Sequence, residues 1–98
     1  MKKKIIILGS TGSIGKTTIK IILKNKKIFN VILLTANRNY VKLLSQAKTL
    51  KCKNIIVFDK ENFLKAKIAN KNKNIRIFNT VKDFLKIKKI KLTTRCVL

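Results

Sequence analysis

The chain opens with a predicted strand over residues 4–8, whose apolar run from Ile5 stops abruptly at Gly9-Ser10-Thr11-Gly12-Ser13-Ile14-Gly15 and then turns amphipathic. An unbroken β-branched run suits a parallel strand covered on both faces. Glycines at its end, followed by a helical pattern, define a strand–turn–helix unit. Such a turn aims backbone N–H groups and the positive end of a helix dipole at one point, which suits a phosphate. In that reading Gly9 takes a tight backbone conformation, Gly12 removes a side chain that would block a pyrophosphate, and Gly15 lets helix and strand pack closely. Ser10, Thr11 and Ser13 add hydroxyl donors.

The same unit recurs along the chain. Strands are predicted at residues 4–8, 31–35, 54–58 and 75–78. Helices are predicted from Ser13 or Ile14 to about residue 25, over 39–50, after Asp59 as N-cap, and over 80–85, with residues 70–74 as a loop. The first helix is expected to bury Ile14, Thr18, Ile21, Ile22 and Leu23 while Lys16, Lys20 and Lys24 stay in water. The second carries Val41, Leu43, Leu44, Ala47 and Leu50, and the third Phe63, Leu64, Ala66 and Ile68. Alternation of strand and helix predicts an α/β fold with right-handed crossovers, a Rossmann-like doubly wound parallel sheet, incomplete, of four βα units with the first strand central. Residues 1–87 are expected to form this partial domain. Residues 88–98 hold no apolar strand and read as a divergent or frameshifted tail. Ninety-eight residues suffice for one small domain and not for two.

Composition tests the competing classes. The chain has 25 Lys+Arg against 3 Asp+Glu, a formal charge of +22 that invites a nucleic acid or an anionic membrane as partner. Yet only Arg38, Arg76 and Arg95 are arginines, whereas base recognition favours bidentate Arg. The Lys are spread along the chain among many Ile and Asn, the mixture an A+T-rich coding sequence produces. Phe29, Phe58, Phe63, Phe78 and Phe84 fall within strands and helices, where core placement is expected rather than base stacking. Cys52 and Cys96 lie far apart and there is no His, so no zinc set is formed and a reduced, cytoplasmic compartment fits. The apolar run after Met1 to Lys4 is shorter than the roughly 7 to 15 residues of a signal-peptide core, and no membrane partner is expected.

Two nucleotide readings compete at the turn. Gly15-Lys16-Thr17 imitates the end of a P-loop, but that pattern needs glycine at position 10, where Ser10 stands, and Gly9 is one residue too early. Ile14 is expected to pack beneath the first helix, which also fits a phosphate cradle of that type poorly. No acid closes the second or fourth strand for magnesium, although Asp59 follows the third. A dinucleotide site instead places an acid after the second strand for NAD, or a basic residue for the 2′-phosphate of NADP. Here the segment reads Thr35-Ala36-Asn37-Arg38-Asn39, with no acid and with Arg38 in place, so NADPH is the expected cofactor.

Residues 7–15, with Asn25, Phe29, Val31 and Ala36-Asn37-Arg38-Asn39, closely resemble the N-terminus of 1-deoxy-D-xylulose 5-phosphate reductoisomerase. The resemblance is clear over about residues 2–59 and thins afterwards. It implies an NADPH-dependent oxidoreductase of non-mevalonate isoprenoid biosynthesis that also uses a divalent metal, Mg or Mn, and is a homodimer. Its reaction rearranges and reduces a sugar phosphate to 2-C-methyl-D-erythritol 4-phosphate. By motif, Thr11, Gly12, Ser13 and Ile14 match the cofactor loop, and Asn37, Arg38 and Asn39 the second cofactor segment. Asn37 departs from the Gly common there. The family's metal-binding acids and substrate-phosphate residues lie downstream of the match, and Asp59, Glu61 and Asp83 match none of them. No catalytic or metal-ligating residue is therefore expected here, and the chain alone is expected to be inactive, marginally stable and cut short by truncation or a frameshift. The alternatives are a small basic nucleic-acid-binding protein and a P-loop-like nucleotide binder.

Overall fold

The computed structural model describes residues 3–87 and 95–97. Five strands alternate with four helices: β1 (Lys3–Ile7), α1 (Ser13–Lys24), β2 (Phe29–Ala36), α2 (Tyr40–Leu50), β3 (Asn54–Val57), α3 (Lys60–Ala69), β4 (Arg76–Phe78), α4 (Val81–Ile87) and β5 (Arg95–Val97). All pairings are parallel, in the order β4-β3-β2-β1-β5. The predicted α/β, Rossmann-like sheet of βα units is the fold observed.

The winding explains why the carboxyl end of β1 is special. From β1 to β4 the chain steps outward strand by strand, then returns past β1 to add β5 on its far side. Right-handed crossovers force helices on the outward and return journeys to opposite faces. Accordingly Ile19 and Ile22 of α1, Leu43 and Ala47 of α2 and Ala66 of α3 pack with Ile5, Ile7, Val31, Ile55 and Val57, whereas Phe84 of α4 packs with Leu33, Ile56 and Phe78. The reversal lies between β1 and β5, which is where doubly wound sheets open a ligand crevice.

β5 falls in the tail to which the sequence reading gave no strand. Arg95-Cys96-Val97 has no apolar run of its own, and its register on Ile5, Ile6 and Ile7 is set by the available edge of β1. Residues 88–94 and 98 of that tail lie outside the described residues.

β2 carries an irregularity that periodicity alone does not disclose. Ile5 pairs with Val31 but Ile6 with Leu33, so one extra residue enters β2. It puts Ile32 and Leu33 with the α4 face while Phe29, Val31, Leu34 and Ala36 all join the opposite core. The Asn54 side chain donates to the Ile32 carbonyl at 3.0 Å, using an acceptor at the bulge.

Ile22, Leu43, Ala47 and Ala66 are buried as expected, whereas other positions of the helices are not. The buried residues of α1 are Gly15, Ile19 and Ile22, an i, i+4, i+7 set, while Ile14 is 71% and Ile21 56% exposed. The cause is Gly15: a Cβ there would stand 2.5 Å from the Gly9 carbonyl oxygen and from Ser10 Cα. That approach fixes which side of α1 meets the sheet, and Ile14 therefore does not pack beneath the helix. Burying Ile19 and Ile22 contributes about 2 kcal/mol each. In α2, Leu43 and Ala47 are buried and Val41 is exposed; in α3, Ala66 is buried, Phe63 half-buried, and Leu64 and Ile68 exposed. Phe78 and Phe84 meet edge to face in the core on the α4 face, Phe29 and Phe63 are half-buried against the opposite core, and Phe58 alone of the five is exposed, at 44%. Phe78 and Phe84, both buried, are thus withdrawn from any stacking role.

Candidate functional site

The two segments singled out by sequence follow the carboxyl ends of neighbouring strands. Thr11, Gly12, Ser13 and Ile14 follow β1, and Asn37, Arg38 and Asn39 follow β2, with β1 and β2 hydrogen-bonded in parallel. Thr11 is half-buried and the other six are exposed. The backbone joins the segments directly: Ser10 N–H donates to the Thr35 carbonyl at 2.9 Å, and Gly9 N–H to Thr35 Oγ1 at 3.0 Å. Thr35, to which sequence reasoning assigns no role, is buried next to the carboxyl end of β2 and holds the glycine turn in place.

The three glycines have different reasons to be glycine. Gly9 has φ +66°, a left-handed conformation that side chains disfavour. Gly15 is demanded by contact with the turn backbone. Gly12 answers to neither need: its φ −79° and ψ 176° are ordinary extended backbone, and a Cβ would meet only the Gly9 carbonyl, at 3.5 Å. The fold itself tolerates a side chain at Gly12.

Gly12 is also the N-cap of α1, and no side chain caps that helix end. The other three helices are capped from within. Asn39 accepts from Lys42 N–H at 3.2 Å, Asp59 from Asn62 N–H at 3.0 Å, and Thr80 Oγ1 from Asp83 N–H at 3.1 Å. The first N–H groups of any helix have no partner inside it, and together with the dipole they favour an anion. At α1 the first turn carries no acid. Thr17 and Thr18 hydroxyls are turned back onto the Ser13 and Ile14 carbonyls.

Charge around the mouth is positive. The Lys16 ammonium beside it holds the Lys42 ammonium below the usual lysine range, with some burial and direct repulsion adding to the effect. Lys16 belongs to α1 and Lys42 to α2, so the two helices meet as like charges that an anion would neutralise. Asp59 is held below the usual carboxylate range by the N–H and side-chain amide of Asn62, with Arg38 and Lys65 contributing their charge. Its carboxylate is engaged as the cap of α3 rather than placed for magnesium. Asn37 does not take positive φ, so its departure from Gly costs no backbone strain.

Beneath the turn lies a polar contact that sequence reasoning missed. The Ser10 hydroxyl, fully buried, donates to Gln46 Oε1 at 2.8 Å, and Gln46 Nε2 donates back to the Ser10 carbonyl at 2.9 Å. Elsewhere, burial pushes the Cys52 thiol up to about 11, which leaves it a packed, unreactive group. Among the described residues no three His, Cys, Asp or Glu are grouped to hold a metal ion. No helix among them is long and apolar enough to cross a membrane.

Comparison with known proteins gives one family. The family model described as 1-deoxy-D-xylulose 5-phosphate reductoisomerase matches residues 5–96. The enzyme of that name from Pelagibacter ubique is 46% identical over 85 residues, covering 87% of this chain and 22% of the relative. That from Buchnera aphidicola is 37% identical over 83 residues, covering 83% of this chain and 21% of the relative. The chain thus spans about a fifth of the length of the curated relatives it matches. Among solved structures, the Zymomonas mobilis reductoisomerase in complex with NADPH superimposes with TM-score 0.78 at 29% identity, over 88% of this chain and 23% of that one. A reductoisomerase in complex with magnesium gives TM-score 0.75 at 25% identity, over 89% of this chain and 22% of that one.

Proposed function

The chain belongs to the 1-deoxy-D-xylulose 5-phosphate reductoisomerase family, and from that premise we propose that it forms the NADPH-binding, N-terminal part of such an oxidoreductase, with residues 1–87 supplying the cofactor unit. The reading rests chiefly on Gly12, which neither its own backbone angles nor its neighbours require to be glycine. A bound diphosphate gives that position its reason. In this reading the diphosphate rests against Gly12, whose own N–H donates to the Gly9 carbonyl at 3.1 Å, and the amides of Ser13 and Ile14 with the hydroxyls of Thr11 and Ser13 hold it. Exposed Ile14 lies against the ligand instead of the core. Arg38, flanked by Asn37 and Asn39, pairs with the 2′-phosphate of the adenosine ribose.

When bound, NADPH supplies the hydride for the reductive half of the family's reaction, and this chain's residues bind and orient it. The magnesium or manganese of the family does not fit the described residues, which offer no cluster of ligands. Metal, sugar phosphate and catalysis belong to the remaining length of a complete, cytoplasmic, dimeric enzyme. No step through the metal is assigned to this chain.

Titration of the chain with NADPH and NADH, followed by nucleotide fluorescence or calorimetry, tests the reading. NADPH is expected to bind more tightly, and Arg38→Ala to weaken it about tenfold to a hundredfold, the worth of a charge-assisted hydrogen bond, with little change for NADH. Equal affinity for both cofactors would contradict the role of Arg38.

A further inference from the structure

We propose that Gln46 is a positioning residue for the diphosphate, an inference that rests on the cofactor reading above: its carboxamide presets the peptide between Ser10 and Thr11 before the nucleotide arrives. Gln46 makes two reciprocal bonds to one residue, accepting from the Ser10 hydroxyl at 2.8 Å and donating to the Ser10 carbonyl at 2.9 Å. The pair closes a ring that fixes both the Ser10 side chain and the direction of its carbonyl. A trans peptide points its N–H opposite its carbonyl. Holding the Ser10 carbonyl toward α2 therefore turns the Thr11 N–H away from α2. Gly15 packs against the Ser10 main chain and the Ser10 and Gly9 N–H groups are committed to Thr35 on β2, while the hydrogen bond to the Ser10 carbonyl comes from Gln46.

The location of Gln46 extends the consequence. It lies on α2, the helix that begins just after Arg38 and Asn39. One rigid element thus anchors the diphosphate turn and carries the segment proposed for the 2′-phosphate, and the spacing between the two is set before binding. Preorganisation of this kind removes an ordering cost from the bound state. Packing does not account for the choice of residue. Leu43 and Ala47 are the fully buried residues of α2, and a half-buried Gln46 could be an apolar side chain if filling space were its task.

The test compares the 98-residue chain with Gln46→Met, Ser10→Ala and the double variant, each checked for folding by circular dichroism and titrated with NADPH and NADH. Gln46→Met is expected to weaken both cofactors by the same factor, about tenfold, leaving the NADPH-to-NADH ratio unchanged. Ser10→Ala keeps the bond from Gln46 to the main chain and is expected to weaken binding less. The double variant is expected to bind as Gln46→Met does, since without Gln46 the hydroxyl keeps only its long contact with the Thr35 carbonyl, at 3.5 Å. A lower melting temperature with unchanged affinity of the folded protein would make Gln46 merely structural and overturn the proposal. If Gln46→Met does not fold, Ser10→Ala decides by the same criterion. Failure of the unsubstituted chain to bind NADPH removes the cofactor reading and this inference with it; binding that is indifferent to both substitutions removes this inference alone.

Discussion

The beginning of α1 and the beginnings of α2, α3 and α4 solve the same problem in opposite ways. Every helix starts with N–H groups that lack intrahelical partners. Asn39, Asp59 and Thr80 supply a side-chain oxygen to three of them, and those ends are complete as folded. At α1 the cap is Gly12, which has no side chain to offer. The same helix end is bordered by Lys16 and, across from it, Lys42, whose ammonium is depressed by its neighbour. Where the chain satisfies its own backbone, the ends are structural. Where it withholds a cap and gathers positive charge, it leaves an end suited to an anion, the place proposed above for the cofactor diphosphate.

Substitutions can erase or deepen that contrast. The largest effect is expected from Gly15→Ala, whose Cβ would meet backbone atoms at 2.5 Å. Urea denaturation should show a loss of about 3 kcal/mol, because neither the turn nor α1 can yield without breaking the other's packing. Gly12→Asp would give α1 the kind of cap that α3 already has. NADPH affinity is expected to fall at least about tenfold, while stability rises by a few tenths of a kcal/mol from the cap and dipole, roughly. Movement in opposite directions is the signature; a variant losing both would show that the fold needs this glycine. Asn39→Ala strips an existing cap and is expected to cost about 1 kcal/mol in the same urea titration.

The smallest effect is one of pH. Asp59 has a folded carboxyl depressed mainly by its bonds from Asn62. Its contribution is fully present above the unfolded carboxyl value of about 3.9 and is lost as pH falls from there through the lower folded value. Melting curves of the unsubstituted chain and Asp59→Asn should converge at the acid end of that window and separate above it. Identical pH profiles would show that the α3 cap is energetically silent.

Much of the fold was readable because its signals are local. The apolar run before Gly9, the N-cap residue Asp59 and the breaks between repeats each act within a few residues. The phase of α1 was less so: the apolar set around Ile14 and Ile21 competes with that around Ile19 and Ile22. Gly15 decides between them through contact with Gly9 and Ser10, and a hydrophobic pattern does not weigh a glycine. α3 lies over short strands toward one side of the sheet, so Leu64 and Ile68 remain in water although the pattern marks them as apolar. In the site, Arg38 and the glycines stand in a recognisable order, but Thr35 and Gln46 do not. Their partners lie 26 and 36 residues away, and a lone Gln within a helix carries no local mark.

The amino-acid order by itself determined the succession of strands and helices, the glycine turn and the absence of an acid after β2, since these follow from backbone preference and short-range pattern. The bulge in β2, the rotation of α1, the placement of β5 beside β1 and the Ser10–Gln46 ring were decided only when the chain closed. Each depends on which distant group arrives within bonding distance, and that is a property of the packed sheet rather than of any one segment.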